Sequence, residues 1–129
     1  MNANFDLYDN FNEVEFTCKH SGKNEMQHSF MSKLQALRVA YGKPMRITSG
    51  FRDVTHPIEA KKPKKNGAHT TGLAADIGVD RGDAYEVLRL AFELGFTGIG
   101  VNQKGGSRFI HLDTIENNEA QPRPTIWSY

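Results

Sequence analysis

The stretch Ala74–Val79, which reads AADIGV, alternates apolar residues with a single carboxylate. Successive side chains of a strand point to opposite faces, so Ala75, Ile77 and Val79 share one face and Asp76 lies on the other. We therefore predict a strand with its apolar face toward the core and with Asp76 directed away from the core.

Two amphipathic helices flank this strand in the sequence. Apolar residues at helical spacing predict the first helix over Glu25–Tyr41, ended by Gly42 and Pro44, and the second between Asp83 and Gly95. The predicted buried stripes are Met26, Phe30, Leu34, Leu37 and Tyr41 in the first helix, and Ala84, Val87, Leu88, Ala91 and Leu94 in the second. Each helix therefore has one face suited to packing on a core.

Three further strands complete a predicted sheet. They are Met45–Thr48, Thr97–Val101 and Arg108–Asp113, and the glycines of residues 102–107 suit a hairpin turn between the last two. Ser49–Ala68 is predicted to be a loop, of a length that is usually functional or disordered. Residues 1–24 are irregular, with three predicted core anchors, Phe11, Val14 and Phe16. The sequence thus predicts an α+β fold, with a small antiparallel sheet and two main helices, as a single domain over residues 1–129.

Composition narrows the class of protein. The chain has 129 residues, 38% hydrophobic, and a formal net charge of +1. These values are ordinary for a globular domain, leave too little apolar sequence for a membrane span, and give no global attraction to nucleic acid. Cys18 is the single cysteine, so the fold cannot depend on an intrachain disulfide. We expect a monomer that neither inserts into a membrane nor binds nucleic acid.

His69, Asp76 and His111 form the pattern that carries chemistry. A turn at Gly72 can bring His69 back over Asp76, and a neighbouring strand supplies His111. Two histidines and one carboxylate are typical of catalytic zinc sites, which keep a fourth position open, whereas structural zinc sites are fully occupied by protein ligands. The pattern therefore predicts zinc as the cofactor.

Three motifs in this order resemble a known family of enzymes. The stretches 49–52 (SGFR), 69–76 (HTTGLAAD) and 109–113 (FIHLD) resemble the zinc-dependent D-alanyl-D-alanine carboxypeptidases and the L-alanyl-D-glutamate peptidases of phage lysins, which share a fold with the hedgehog signalling domain. The resemblance runs from about residue 16 to Tyr129. It implies that His69, Asp76 and His111 are the zinc ligands and that Arg52 steadies the substrate carbonyl or carboxylate.

The general base is less easily assigned. Many members of the family carry an acidic residue three positions before the last zinc histidine, where this chain has Arg108. Shorter members end in a His-x-Asp pattern, which His111 and Asp113 reproduce. Because His111 and Asp113 share a strand face, Asp113 either takes the proton from the attacking water or orients a zinc ligand. We hypothesise the first role, with Glu116 as the next candidate.

Several other residues have more than one interpretation. Arg52 either contacts substrate or only pairs with Asp53 or a loop carboxylate. His56 shares the long loop with Arg52 and is a candidate for the site wall, whereas Cys18 fits a small buried thiol. The lysines of 61–65 form either a solvated loop or a contact to anionic wall polymers, and Phe51, Trp127 and Tyr129 fit either the core or a pocket wall.

The expected function is hydrolysis of a peptide bond in peptidoglycan stem peptides by an endolysin-type endopeptidase. Two alternatives stay open: a carboxypeptidase that removes terminal D-alanine, and an inactive zinc-stabilised binding or virion module. The first residues lack the basic and apolar regions of a secretory signal. We therefore expect synthesis in the cytoplasm and action on the bacterial cell wall, after holin-type release or as part of a virion.

Overall fold

Five strands form one mixed sheet in the computed structural model, which describes residues 1–62 and 67–129. The strands are β1 (Arg46–Ser49), β2 (Ala74–Gly78), β3 (Gly98–Asn102), β4 (Phe109–Asp113) and β5 (Thr125–Ser128). Their order is β1-β2-β4-β3-β5, and every pair is antiparallel except β3 and β5. The predicted α+β class is confirmed. The sheet has one strand more than expected. That strand is parallel to β3 because β4 ends beside the first residue of β3, and residues 114–124 cross to the other side of β3 at that same end of the sheet.

The helices in the described parts of the chain include the two that were expected. They are α1 (Glu13–Phe16), α2 (His28–Tyr41), α3 (Pro57–Ala60) and α4 (Arg81–Glu93), with short 3-10 helices at Phe5–Leu7 and Ala68–Thr71. The predicted start of α2 at Glu25 is wrong by three residues. The backbone there is held extended, because the Met26 carbonyl accepts the amide of Ala3 and the Gln27 amide donates to Gly72.

Most of the core positions predicted in the helices and the N-terminal segment are buried, and four are not. The buried stripe of α2 is Phe30, Met31, Leu34 and Leu37, and that of α4 is Ala84, Val87, Leu90 and Ala91. Tyr41, Leu88 and Leu94 are only partly buried at the edge of the same core. Phe11 and Phe16 anchor the N-terminal segment as expected, but Val14 is 77% exposed because α1 turns that side outward.

The two faces of the sheet have different roles. Ala75, Ile77, Ile99, Ile110 and Leu112 join the buried side chains of α2 and α4 in one hydrophobic core. By strand alternation, Asp76, His111 and Asp113 lie on the opposite face. One face of the sheet therefore packs on the hydrophobic core, and the opposite face bears the three polar side chains predicted to be functional. Among the described residues, the helices are too short or too polar to cross a membrane.

Candidate active site

One cross-strand row brings together residues from four strands. Asp76 of β2 is paired with His111 of β4, His111 with Gly100 of β3, and Gly100 with Trp127 of β5. Side chains of directly paired residues share a face and lie close together. The Asp76 Oδ1 and His111 Nδ1 atoms are accordingly 3.0 Å apart.

Gly100 makes room in this row for an aromatic contact. A Cβ atom there would lie 2.7 Å from Nε1 of Trp127, too close for two unbonded heavy atoms. Because glycine leaves the space open, the Trp127 ring approaches the His111 imidazole to 5.0 Å between centroids. Trp127 thus forms one wall of the site, which decides between the two interpretations left open by the sequence.

A sharp turn delivers His69 to the same place. His69 lies in the 3-10 helix Ala68–Thr71, which ends at Gly72 with a left-handed backbone of φ 75°. A side chain at Gly72 would also run into the carbonyl of Glu25, so glycine is required there twice over. His69 Nε2 lies 3.2 Å from Asp76 Oδ1, on the side opposite the Gly50 carbonyl that Nδ1 contacts at 2.8 Å.

The three buried side chains form a group suited to one metal ion. The ligand atoms that His69, Asp76 and His111 can offer all lie within 4.8 Å of one another. The other nitrogen of each ring is already engaged, that of His69 by the Gly50 carbonyl and that of His111 by Asp113 at 2.8 Å. When those outer nitrogens carry the protons, both inner lone pairs face Asp76. Two neutral imidazoles and one carboxylate are a donor set that zinc prefers, so the residues fit the ion.

Hydrogen bonds among the three ligand residues and Asp113 set the pKa values of Asp76 and His111. Burial alone would raise the pKa of Asp76, but hydrogen bonds from His111 and His69 outweigh it and hold that pKa far below its ordinary value. Burial lowers the pKa of His111, but its hydrogen bonds with Asp113 and Asp76 leave the pKa raised. Asp76 is therefore ionised at neutral pH, ready to bind a cation.

Asp113 lies behind His111 rather than in the open cavity. Its side chain is fully buried, and Oδ2 contacts His111 Nε2, the ring nitrogen on the far side from Asp76. Arg123 donates to both carboxylate oxygens, at 2.9 Å to Oδ1 and 2.8 Å to Oδ2, and the Ile115 amide donates to Oδ1. The pocket for this pair exists because Gly98 of β3 has no side chain where the Asp113 carboxylate lies. The geometry therefore supports the orienting role of Asp113 over a direct role as base.

Arg52 reaches the site from the loop after β1. Its guanidinium lies 3.8 Å from Asp76 Oδ2 and 3.1 Å from Glu59 Oε2, and Nε donates to Ser49. Arg52 thus pairs with a loop carboxylate, as one of the two interpretations had it, and it also lies beside the metal group. Its contact with substrate stays a prediction. Sequence reasoning missed Glu59, a fully buried carboxylate on α3 that also pairs with Lys62 at 3.1 Å. Its position in a lysine-rich polar loop gave no sign of burial.

A cavity of about 430 Å³ opens over the metal group. Arg52 and Lys62 contribute positive charge to its wall, and Phe109, Trp127 and Tyr129 contribute aromatic surface. Burial raises the pKa of Tyr129, and the nearby Asp76 carboxylate raises it further, so the phenol is protonated at neutral pH. The cavity therefore combines a cationic side and an aromatic side around one carboxylate, which suits a peptide with anionic groups.

The family is decided by a match over most of the chain. The family model described as Peptidase M15 matches residues 6–113. The chain belongs to this family. M15 peptidases are hydrolases and generally depend on zinc, which agrees with the His69, Asp76 and His111 group. No curated protein matches the chain.

The remaining candidates of this M15 peptidase lie away from the metal group. Glu116 is exposed and does not line the cavity above the ligands. His56 caps α3 by accepting the Ile58 amide, and lines a neighbouring cavity instead. Cys18 is buried, as expected, and Phe51 belongs to the core. Of the lysine cluster at 61–65, Lys61 is exposed and Lys62 pairs with Glu59, while positions 64 and 65 lie outside the described residues.

Proposed function

We propose that this chain is a zinc-dependent peptidase that hydrolyses a peptide bond within peptidoglycan stem peptides, in the manner of an endolysin-type endopeptidase. One observation supports it above the others: inner donor atoms of His69, Asp76 and His111 converge, while both outer ring nitrogens are held by hydrogen bonds. Membership of the M15 family supports a peptidase with a peptidoglycan-related substrate.

Three residues are proposed to bind the metal ion, and two other groups are proposed to orient the histidine ligands. Bound zinc would supply a Lewis acid for the scissile carbonyl and would lower the pKa of a water in its open position. His69, Asp76 and His111 hold the ion. The Gly50 carbonyl and the Asp113 carboxylate fix the two ring orientations and the tautomers, because each accepts the proton of an outer nitrogen. Asp113 is therefore proposed as a positioning residue that acts through His111.

Arg52 is proposed as the residue that stabilises negative charge developing on the substrate. Its guanidinium borders both Asp76 and the open cavity, so it can donate to a carbonyl oxygen placed above the ligands. Glu59 holds the guanidinium from behind. Since Arg52 is already oriented before substrate binds, little ordering is needed at the moment of reaction.

A carboxypeptidase is the second candidate, and one observation favours it. Arg52 and Lys62 place two cations in the wall of the cavity, where they would suit a free terminal carboxylate. An endopeptidase would use the same cations for the side-chain or α-carboxylate of a D-glutamyl residue. Mass spectrometry of digested wall separates the candidates, because one releases only D-alanine and the other exposes new ends within the stem peptide.

A zymogram with purified bacterial wall tests the proposal directly. We expect clearing that a chelator abolishes and that added zinc restores. Absence of clearing by zinc-loaded protein, together with no release of D-alanine from the wall, would instead favour the binding or virion module. The bacterial wall is the proposed place of action. The proposed route to it is holin-type release or assembly into a virion.

A further inference from the structure

A second cavity adjoins the metal site and shares a wall with it. This cavity, of about 180 Å³, is lined by residues of α1, β1 and the loop after β1. Arg52 and Ile58 line both this cavity and the cavity above the metal ligands. A peptide bound at the metal group can therefore extend past these two side chains into the neighbouring cavity.

Backbone contacts of Gly50 and Phe51, which line the second cavity, hold it in place. The Gly50 carbonyl accepts His69, and the Phe51 amide donates to the Phe16 carbonyl at 2.9 Å. A Cβ atom at Gly50 would lie 2.5 Å from the Phe16 Cα, so the two backbones are packed as closely as glycine allows. The second cavity is thus fixed relative to the metal ligands, as a substrate subsite has to be.

Besides Arg52, which pairs with Glu59, two side chains of opposite charge line this cavity without pairing with each other. Glu15 accepts the Asn12 amide through Oε2 and forms no ion pair with any residue in 1–62 or 67–129. Lys19 likewise has no carboxylate partner in those parts of the chain. A ligand that carries both an ammonium and a carboxylate would satisfy both side chains at once.

We propose that this second cavity is a subsite for a diamino acid of the stem peptide, and that it favours one whose side chain ends in an ammonium and a carboxylate on the same carbon. Meso-diaminopimelate has such a side chain. Lysine reaches equally far but ends in the ammonium alone. Lys19 would bind the extra carboxylate, and Glu15 would bind the ammonium that both residues possess. This inference rests on the proposed function and names the substrate class that the site selects.

The test compares two stem pentapeptides that are identical except for meso-diaminopimelate or L-lysine at the third position. Both kcat/KM, from chromatography with mass detection, and Kd, from calorimetry, are measured on zinc-loaded protein. We expect the wild type to favour the diaminopimelate peptide about tenfold, equal to about 1.4 kcal/mol. Lys19→Gln should reduce that preference to within about twofold. Glu15→Gln, which keeps the bond to Asn12, should weaken both peptides equally.

Control measurements separate this subsite from the proposed function. Lys104→Gln removes an exposed charge in the turn after β3 and should leave the preference unchanged. The subsite proposal would be overturned if the wild type had equal kcat/KM and equal Kd for the two peptides. A preference that persists in Lys19→Gln would overturn it as well. If short peptides without the diamino acid are cleaved in that case, the peptidase function still stands. If nothing is cleaved but calorimetry shows the preference, the subsite stands and the function fails.

Discussion

Replacement of Asp113 by asparagine separates a positioning residue from a general base. Oδ1 of Asp113 accepts from Arg123 and from the Ile115 amide, while Oδ2 accepts from Arg123 and meets His111 Nε2. An asparagine NH2 in the Oδ1 position would face two N–H donors. In the Oδ2 position it faces one donor and a ring that can change its tautomer. The second arrangement is therefore favoured, with the NH2 group toward His111.

This arrangement places the imidazole proton on the wrong nitrogen for metal binding. An NH2 group that donates to Nε2 leaves the proton on Nδ1, the atom that faces Asp76. Loss of a carboxylate that orients a metal-binding histidine costs about 10–100-fold in metal affinity. The buried Arg123 also loses its countercharge, for which we expect a loss of about 3 kcal/mol in the free energy of unfolding. For a chain of this length that corresponds to a fall in Tm of roughly 10 °C.

The assay measures zinc affinity and turnover separately. Zinc affinity is obtained by competition with a chromogenic chelator, and kcat is then measured on a stem peptide at saturating zinc. We expect Asp113→Asn to weaken zinc binding and to lower kcat less than about tenfold once zinc is saturating. Unchanged zinc affinity with kcat lowered by about 10²–10⁴ would refute the positioning role and identify Asp113 as the base. The matched control is Glu116→Gln, which replaces an exposed carboxylate nearby with its neutral isostere. This variant should resemble the wild type.

Three further outcomes follow from the same geometry. Arg52→Ala should retain stoichiometric zinc by elemental analysis but lose about 10²–10³-fold in kcat/KM, with Arg52→Lys intermediate; full activity would make the arginine merely structural. Gly100→Ala should push Trp127 away from His111 and cost about 1–3 kcal/mol in urea unfolding, whereas an unchanged midpoint would contradict the close contact. Below the raised pKa of His111, zinc must displace a proton, so zinc affinity should fall by up to about tenfold per pH unit as the pH drops; a flat profile in calorimetry would remove His111 from the ligand set.

The periodicity of the strands predicted much of the candidate site. Alternation placed Asp76 away from the core and placed His111 and Asp113 on one face, and the structure has all three there. The turn at Gly72 was also predicted from the sequence, and its left-handed backbone confirms it. These features are local, because a strand or turn of a few residues determines them without knowledge of distant partners.

What the sequence did not reveal depends on contacts between distant segments. The role of Asp113 is set by Arg123, which arrives from a connection that strand periodicity does not describe. The role of Gly100 became clear only once β5 was known to lie beside β3, because its missing side chain leaves room for Trp127. Burial of Glu59 likewise depends on how a polar loop folds over Arg52. Register and loop packing are tertiary properties, and propensity does not determine them.

Anomalous diffraction at the zinc edge, from crystals of the protein equilibrated with one equivalent of zinc, tests the central claim most directly. The account predicts a single strong peak bounded by His69 Nε2, Asp76 Oδ1 and His111 Nδ1. A peak elsewhere, or no peak at these three side chains, would contradict it.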